Sequence, residues 1–422
     1  MKGLFITNVI MMIFVVGAMA QSKNYTTTYV DLGRQSAILY QPLEKSGKAQ
    51  IGIIVMHSHE DYFNFPGNKE LSQRGYTVIT TNPSSTNIIE DKVLNIKACV
   101  DYLKKRGDIK KVILLGHSGG ATVITAYAFL AEQGKDGIKD MIYQDYSDKL
   151  NDLPKVDGLL LLDANPGIST IMINSLDPNV TDETTGMKLS VKYSEINEME
   201  YMQGQQQRYS KLVENAQKRL SLIKVGKGLY ADDEPFVIPG SESMRMFNKL
   251  YSSDTNLLSH TIDEWPLIHA DGSITTEIVH SVRAPFTPID KTNMLSTAQR
   301  LTVRSFLSMY AITTNTDYAV TPTGFQGIDF ASNLSSPIGN VHGITVPSLF
   351  MGMTGSYEYV SAEAIYNNSM SKDKTLSFVE GASHMFKSDK QAEMYNNADY
   401  GDTMKNLFDY VDKWISSNNR FL

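Results

Sequence analysis

Short apolar runs alternate with amphipathic stretches over the first part of the chain. Ile51-Gly52-Ile53-Ile54-Val55-Met56, Lys111-Val112-Ile113-Leu114-Leu115 and Gly158-Leu159-Leu160-Leu161-Leu162 offer no regular polar side to water. Such runs predict strands buried on both faces of a parallel sheet. Ser36–Tyr40, closed by Pro42, and Thr77-Val78-Ile79-Thr80 predict two more strands. Between them, Ile89, Val93, Ile96, Val100 and Leu103 recur at spacings of three and four, one apolar stripe on a helix. Asn87 with Glu90 reads as a capping box at its start. Lys104, Lys105 and Arg106 complement the dipole at its end, and Gly107 stops it. Lys69–Arg74 and Ala121–Ala131 predict further helices.

The rhythm breaks at about Pro166. From there to roughly Asn340 the chain reads as helical and polar-faced, with one stripe of Tyr209, Leu212, Val213, Ala216, Leu220 and Ile223. Strand patterns return at Pro347-Ser348-Leu349-Phe350-Met351 and Thr375–Val379. A last helix follows, with Met404, Leu407, Phe408, Val411, Trp414 and Ile415 on one face. Alternation, interruption and resumed alternation predict an α/β fold with a mostly parallel central sheet flanked by helices. A mainly helical lid, residues 167–342, is expected after the strand ending near Asp163, between core segments 21–166 and 343–422.

The N-terminus changes the picture of where the protein works. Lys2, the apolar run Val9–Val16 and Ala18-Met19-Ala20 before Gln21 have the order of a cleaved export signal over residues 1–20. The run is shorter than the ~20 residues that span a bilayer. The expectation is an exported, soluble protein, periplasmic or extracellular, with no stable membrane span. Of 422 residues, 39 are Lys or Arg and 46 Asp or Glu, a net charge of −7. That balance gives no footprint for nucleic acid or an anionic membrane. The single cysteine, Cys99, excludes an internal disulfide framework and cysteine-built metal sites, and its place on the 87–107 stripe predicts burial.

Gly116-His117-Ser118-Gly119-Gly120 fits G-x-S-x-G between a buried strand and an Ala-rich helix. That placement holds a serine in a sharp turn, lifts Oγ clear of the sheet and sets a helix N-terminus beneath a developing oxyanion. Here the chain resembles the α/β-hydrolase family in its esterase and lipase branch, over most of residues 30–165 and 343–420. The resemblance implies acyl transfer from an ester, small-molecule or lipid, by a serine nucleophile without a cofactor. Ser118 takes the nucleophile's place. The segment Phe378-Val379-Glu380-Gly381-Ala382-Ser383-His384 looks like the family's histidine loop, which makes His384 the base. The family's usual acid turn, Gly352–Glu358, holds no aspartate, and Ser356 stands where one is expected. Asp163 is preferred as the acid because the carboxylate that orients a histidine must be buried and fixed. Glu358 is the alternative. By the same resemblance the oxyanion hole would use the N–H of Gly119 and that of His59, with Ser58 in a glycine's place.

Two other readings compete. His57-Ser58-His59-Glu60-Asp61 resembles the ligand run of metallo-β-lactamase-type hydrolases, and His117, Asp163 and His384 could complete a dizinc set. Tyr62 stands where that run ends in histidine. A non-catalytic binding protein on the same fold is the other, and the joint presence of Ser118 and His384 counts against it. In the insertion, Trp265, His269, His280, Arg283, Arg300 and Arg304 are candidates for pocket lining, Arg283 for a substrate carboxylate. Met187, Met199, Met202, Met244 and Met246 fit an adaptable apolar pocket.

Overall fold

A computed structural model describes residues 24–33, 35–183, 186–187, 197–241, 255–285 and 298–421. The expected export signal, Met244, Met246 and the side chain of Met187 lie outside the described residues.

Strands β1 (Tyr25–Asp31), β2 (Ser36–Pro42), β3 (Ile51–Val55), β4 (Thr77–Thr81), β5 (Lys111–Ser118) and β6 (Gly158–Ala164) come first. They alternate with helices α1 (Pro66–Gln73), α2 (Ile89–Lys105) and α3 (Gly120–Gln133). The intervening segment carries β7 (Val180–Asp182), β8 (Gly186–Met187), β9 (Pro235–Ile238), β10 (His260–Ile268), β11 (Ile274–His280), β12 (Gln299–Thr302), β13 (Thr313–Thr321) and β14 (Gly324–Asp329). It also carries helices α4 (Ile168–Ser175) and α5 (Glu198–Lys224). Strands β15 (Ser348–Met353) and β16 (Lys374–Val379) and a helix over Thr403–Ser416 close the fold.

Ten strands make one sheet in the order β1-β2-β4-β3-β5-β6-β15-β16-β10-β11. All neighbours from β4 to β10 are parallel, with antiparallel edges at β1, β2 and β11. Every residue of β3, β4, β6 and β15 is buried, because helices cover both faces. Alternate residues feed two cores. Leu159 and Leu161 pack on the α2 and α3 side, while Leu160 and Leu162 pack with Leu71, Leu407, Phe408 and Val411 on the other. Cys99 is fully buried in the first core. Burial pushes its thiol far above the ordinary range, which leaves it a packing residue.

Two expectations fail for identifiable reasons. No capping box opens α2: its N-cap is Ile88, without a side-chain bond, and Asn87 Oδ1 lies 3.2 Å from His59 Nε2. Glu90 instead accepts from the backbone N–H and hydroxyl of Ser147. The second concerns residues 167–342, whose described part carries strands as well as helices. Strand β10 joins the central sheet through Leu267↔Phe378 and Ile268↔Val379, and β11 extends it. One face of this antiparallel edge is wet, and only Val279 of β11 is buried, so no apolar run announces it. Among the described residues no helix is long and apolar enough to cross a membrane.

Candidate active site

The strand order reverses about β3, and crevices at such points lie at the carboxyl ends of the strands. There β5 runs directly into α3 through Ser118, whose φ of +52° is costly for a residue with a Cβ. Glycine is what permits the turn. A Cβ at Gly116 would lie 2.7 Å from Ala121 Cα, one at Gly119 2.4 Å from Ser58 Oγ, and one at Gly120 2.6 Å from the Met56 carbonyl.

Asp163 is held by a second backbone distortion. His117 pairs with Leu162 and Ser118 with Ala164, so Asp163 is the extra residue of a β-bulge, at φ +47°. Its fully buried carboxylate accepts the Met353 N–H through Oδ1 (3.1 Å) and meets His384 Nδ1 through Oδ2 (2.6 Å). Strand β16 leads into the His384 loop, which the Ser383 N–H to Lys387 carbonyl bond (2.7 Å) closes. Phe386, fully buried against Phe65, His117 and Phe408, pins it from below.

Behind His384 lies a neutral relay. Tyr62 OH is 2.6 Å from His117 Nδ1, and His117 Nε2 is 2.7 Å from the His384 carbonyl. Burial drives His117 well below its ordinary value, so its ring is neutral, donating from Nε2 and accepting at Nδ1.

Glu358 also reaches the histidine, with Oε2 3.6 Å from His384 Nδ1. Burial raises the Glu358 carboxyl to about 7; the His384 charge opposes this, the Asp163 charge adds to it, and hydrogen bonding from the Tyr357 and Ser118 hydroxyls lowers it. For His384, burial pulls downward, but the Glu358 charge and the Asp163 hydrogen bond and charge outweigh it and lift the imidazole to about 9. The two groups are coupled: a proton on Glu358 removes the first upward contribution to His384. Among the described residues no hydrogen bond joins Ser118 to His384, whose Nδ1 faces Asp163, and the Ser118 hydroxyl acts on the Glu358 carboxyl instead.

Of the expected oxyanion donors, Gly119 lines the same cavity as Ser118, whereas the His59 N–H donates to His57 Nδ1 (3.1 Å). Ser58, read from the sequence only as standing in a glycine's place, brings a buried hydroxyl beside Gly119 and 2.9 Å from His59 Nδ1. The sequence reading missed Tyr310, which reaches His59 Nε2 from the intervening segment (3.1 Å). The dizinc set is not assembled. His57 Nδ1 accepts the N–H groups of His59 and Glu60, both His117 nitrogens are engaged, and Asp61 Oδ1 caps the Phe63 N–H. Among the described residues, the group of three that could hold a metal is Asp163, Glu358 and His384. Of those, His384 Nδ1 already faces Asp163.

Ser118, His384 and Glu358 open on a cavity of about 560 Å³, within the range of small-molecule sites. Ile168, Ile171, Met172, Leu301 and Tyr310 form the wall supplied by the intervening segment, and Arg300 is part of it. The other insertion candidates lie elsewhere. Trp265 donates to Glu363 (2.7 Å), His269 pairs with Glu380 (2.7 Å), Arg304 pairs with Asp145, and His280 and Arg283 line a separate cavity.

The mostly parallel sheet, its flanking helices and the serine turn after β5 define an α/β-hydrolase fold. Among solved structures the chain is similar to Est1E from Butyrivibrio proteoclasticus at 12% identity and a TM-score of 0.39, covering 92% of this chain and 98% of that one. It is similar to esterase B from Lactobacillus Rhamnosis at 11% identity and a TM-score of 0.40, covering 93% and 87%. Carboxyl esterase 2 from the mycorrhizal fungus Tuber melanosporum gives 10% identity and 0.40, covering 93% and 88%. No family model matches the chain, and no curated protein matches it by sequence.

Proposed function

We propose that the protein is a serine-dependent carboxylic ester hydrolase working through an acyl-enzyme. One observation carries the reading. A serine on strained backbone opens into the same cavity as a histidine whose Nδ1 lies 2.6 Å from a buried aspartate. In the proposed cycle Ser118 Oγ swings from Glu358 to His384 Nε2, which takes its proton as Oγ attacks the ester carbonyl. Asp163 fixes the tautomer, with the proton on Nδ1, and stabilises the imidazolium. The Gly119 N–H, at the head of α3, faces the developing oxyanion together with the β3 loop. His384 then protonates the leaving alkoxide, and water activated by the same ring releases the acid. The apolar wall of Ile168, Ile171, Met172 and Leu301 suits an uncharged acyl chain or aryl group.

A fluorophosphonate probe tests the nucleophile directly: mass spectrometry should find the adduct on Ser118. Ser118→Ala and His384→Ala should each remove hydrolysis of short p-nitrophenyl esters, and near-wild-type turnover in either would overturn the assignment. Export is part of the proposal, supported by the Val9–Val16 run and Ala18-Met19-Ala20. A secreted product beginning at Gln21 is the expected result of N-terminal sequencing.

A further inference from the structure

Arg283 is 9% exposed, yet among the described residues no carboxylate pairs with it. Its guanidinium is anchored on one side only. Nε donates to Ser281 Oγ (2.9 Å), and Nη2 donates to the carbonyls of Leu257 (2.8 Å) and Leu258 (3.3 Å). Nη1 has no hydrogen-bond partner among the described residues, and Arg283 lines a cavity of about 430 Å³. Two imidazoles share that cavity. His260 and His280 face each other across the β10–β11 ladder, with ring centroids 5.6 Å apart. Ser259, Ser281 and Asn396 add polar groups, and no Asp or Glu is among the described residues lining it.

A buried guanidinium without an acid is expensive, and burial pulls Arg283 below its ordinary value. In a chain with 46 acidic residues, a basin whose described lining holds an arginine and two histidines but no carboxylate is not a typical sample of the surface. The remaining Nη1 amino group can donate charge-assisted bonds to the oxygens of an anion. We propose that this cavity is a second binding site, for the oxyanion group of a small ligand, a carboxylate or a phosphate, held by Arg283 with His260 and His280. The site is separate from the Ser118 cavity but backs onto it. The Val282 N–H donates to the Thr354 carbonyl (3.0 Å), at the head of the turn that carries Tyr357 and Glu358.

The test is calorimetric, on the whole protein after Ser118 has been capped by a phosphonate, so that it depends neither on turnover nor on a vacant catalytic serine. Inorganic phosphate, sulfate and succinate are titrated at fixed ionic strength against a chloride control. At least one should bind saturably, and which one does separates phosphate from carboxylate chemistry. The affinity should fall at least tenfold in His260→Gln/His280→Gln and at least as far in Arg283→Gln. Because Arg283 also holds two backbone carbonyls, the histidine pair keeps the test valid should Arg283→Gln misfold. Absence of saturable binding of all three anions overturns the proposal. So does binding that persists undiminished in the histidine pair. If the probe fails to label Ser118, the hydrolase reading falls, and the same titration on unlabelled protein still decides this one.

Discussion

The parallel core and the segment between β6 and β15 solve the same problem by different means. In the core, ladders between strands consume the backbone N–H and C=O groups, so side chains can run apolar, as in β3 and in Leu159–Leu162 of β6. The intervening segment has short ribbons and loops, and buried polar side chains do the pairing. Gln205 donates to the carbonyls of Asn174 (3.0 Å) and Leu176 (2.9 Å). Arg208 serves Asp177 and Pro239, Arg283 serves Leu257, and Asn333 serves Leu307. The division extends to the cavity. The core supplies Ser118, Glu358 and His384, while the segment supplies mainly the wall. The serine turn and Asp163 thus sit on strands of a ten-stranded sheet, and the apolar wall sits on α4 and β12, outside that sheet. Core substitutions at the site should therefore act on turnover, and wall substitutions on substrate preference.

The largest effect should separate the two carboxylates. Asp163→Asn keeps the shape but loses the acceptor that fixes His384, and kcat should fall by about 10³–10⁴. Glu358→Gln should cost about tenfold or less, and it should change the pH profile. Removing the Glu358 charge lowers the His384 pKa, because that charge is an upward contribution on the imidazole. The base must be neutral to work, so the acid limb of kcat/KM should move to lower pH in Glu358→Gln. A limb that stays in place, or a Glu358 loss larger than the Asp163 loss, would exchange their roles.

Next in size is the turn itself. Gly119→Ala drives a methyl group to 2.4 Å from Ser58 Oγ, beside the N–H assigned to the oxyanion, and kcat should drop by about 10². Gly116→Ala meets backbone of Ala121 at 2.7 Å and should destabilise the fold by about 1–3 kcal/mol, read as a lower urea midpoint.

The same division explains what could be read from the amino-acid order. The strands and helices that bury continuous apolar runs or stripes were legible: β3, β5, β6, α2 and the closing helix. So was the serine turn, whose glycines follow from its geometry. The α5 stripe from Tyr209 to Ile223 was legible too, and all six of its residues are buried. What stayed hidden has physical causes. Gln205, Gln206 and Arg208 on the same helix look solvent-facing but are buried. The wet edge of β11 gives no run, so two strands of the sheet passed for part of a lid. The sequence left two carboxylates open because the contact that favours Asp163 as the proposed acid, 2.6 Å against 3.6 Å to one nitrogen, depends on a bulge that no periodicity encodes.

A smaller effect tests the relay that joins the core to the histidine loop. Tyr62→Phe leaves His117 Nδ1 buried without its donor, which should cost about 1–3 kcal/mol of stability. The ester-hydrolysis pH profile should keep its shape, since His117 is neutral and its bond to His384 is to the backbone carbonyl.

The smallest expected effect is the one that most sharply divides wall from core. Ile171 is half-buried, lines the cavity and belongs to α4, just beyond the sheet. Ile171→Ala removes apolar carbon from the wall while leaving every group that contacts the ester carbonyl in place. At ~0.8 kcal/mol per buried methylene, and with only part of that surface covered by substrate, octanoyl esters should lose about 1 kcal/mol of kcat/KM, roughly fivefold. Acetyl esters, too short to reach α4, should change by less than about twofold. The loss should appear in KM, because the wall contacts substrate and transition state alike. An equal fall in kcat for both esters would mean that α4 helps to position Ser118, and the division between a reactive core and a selective wall would not hold.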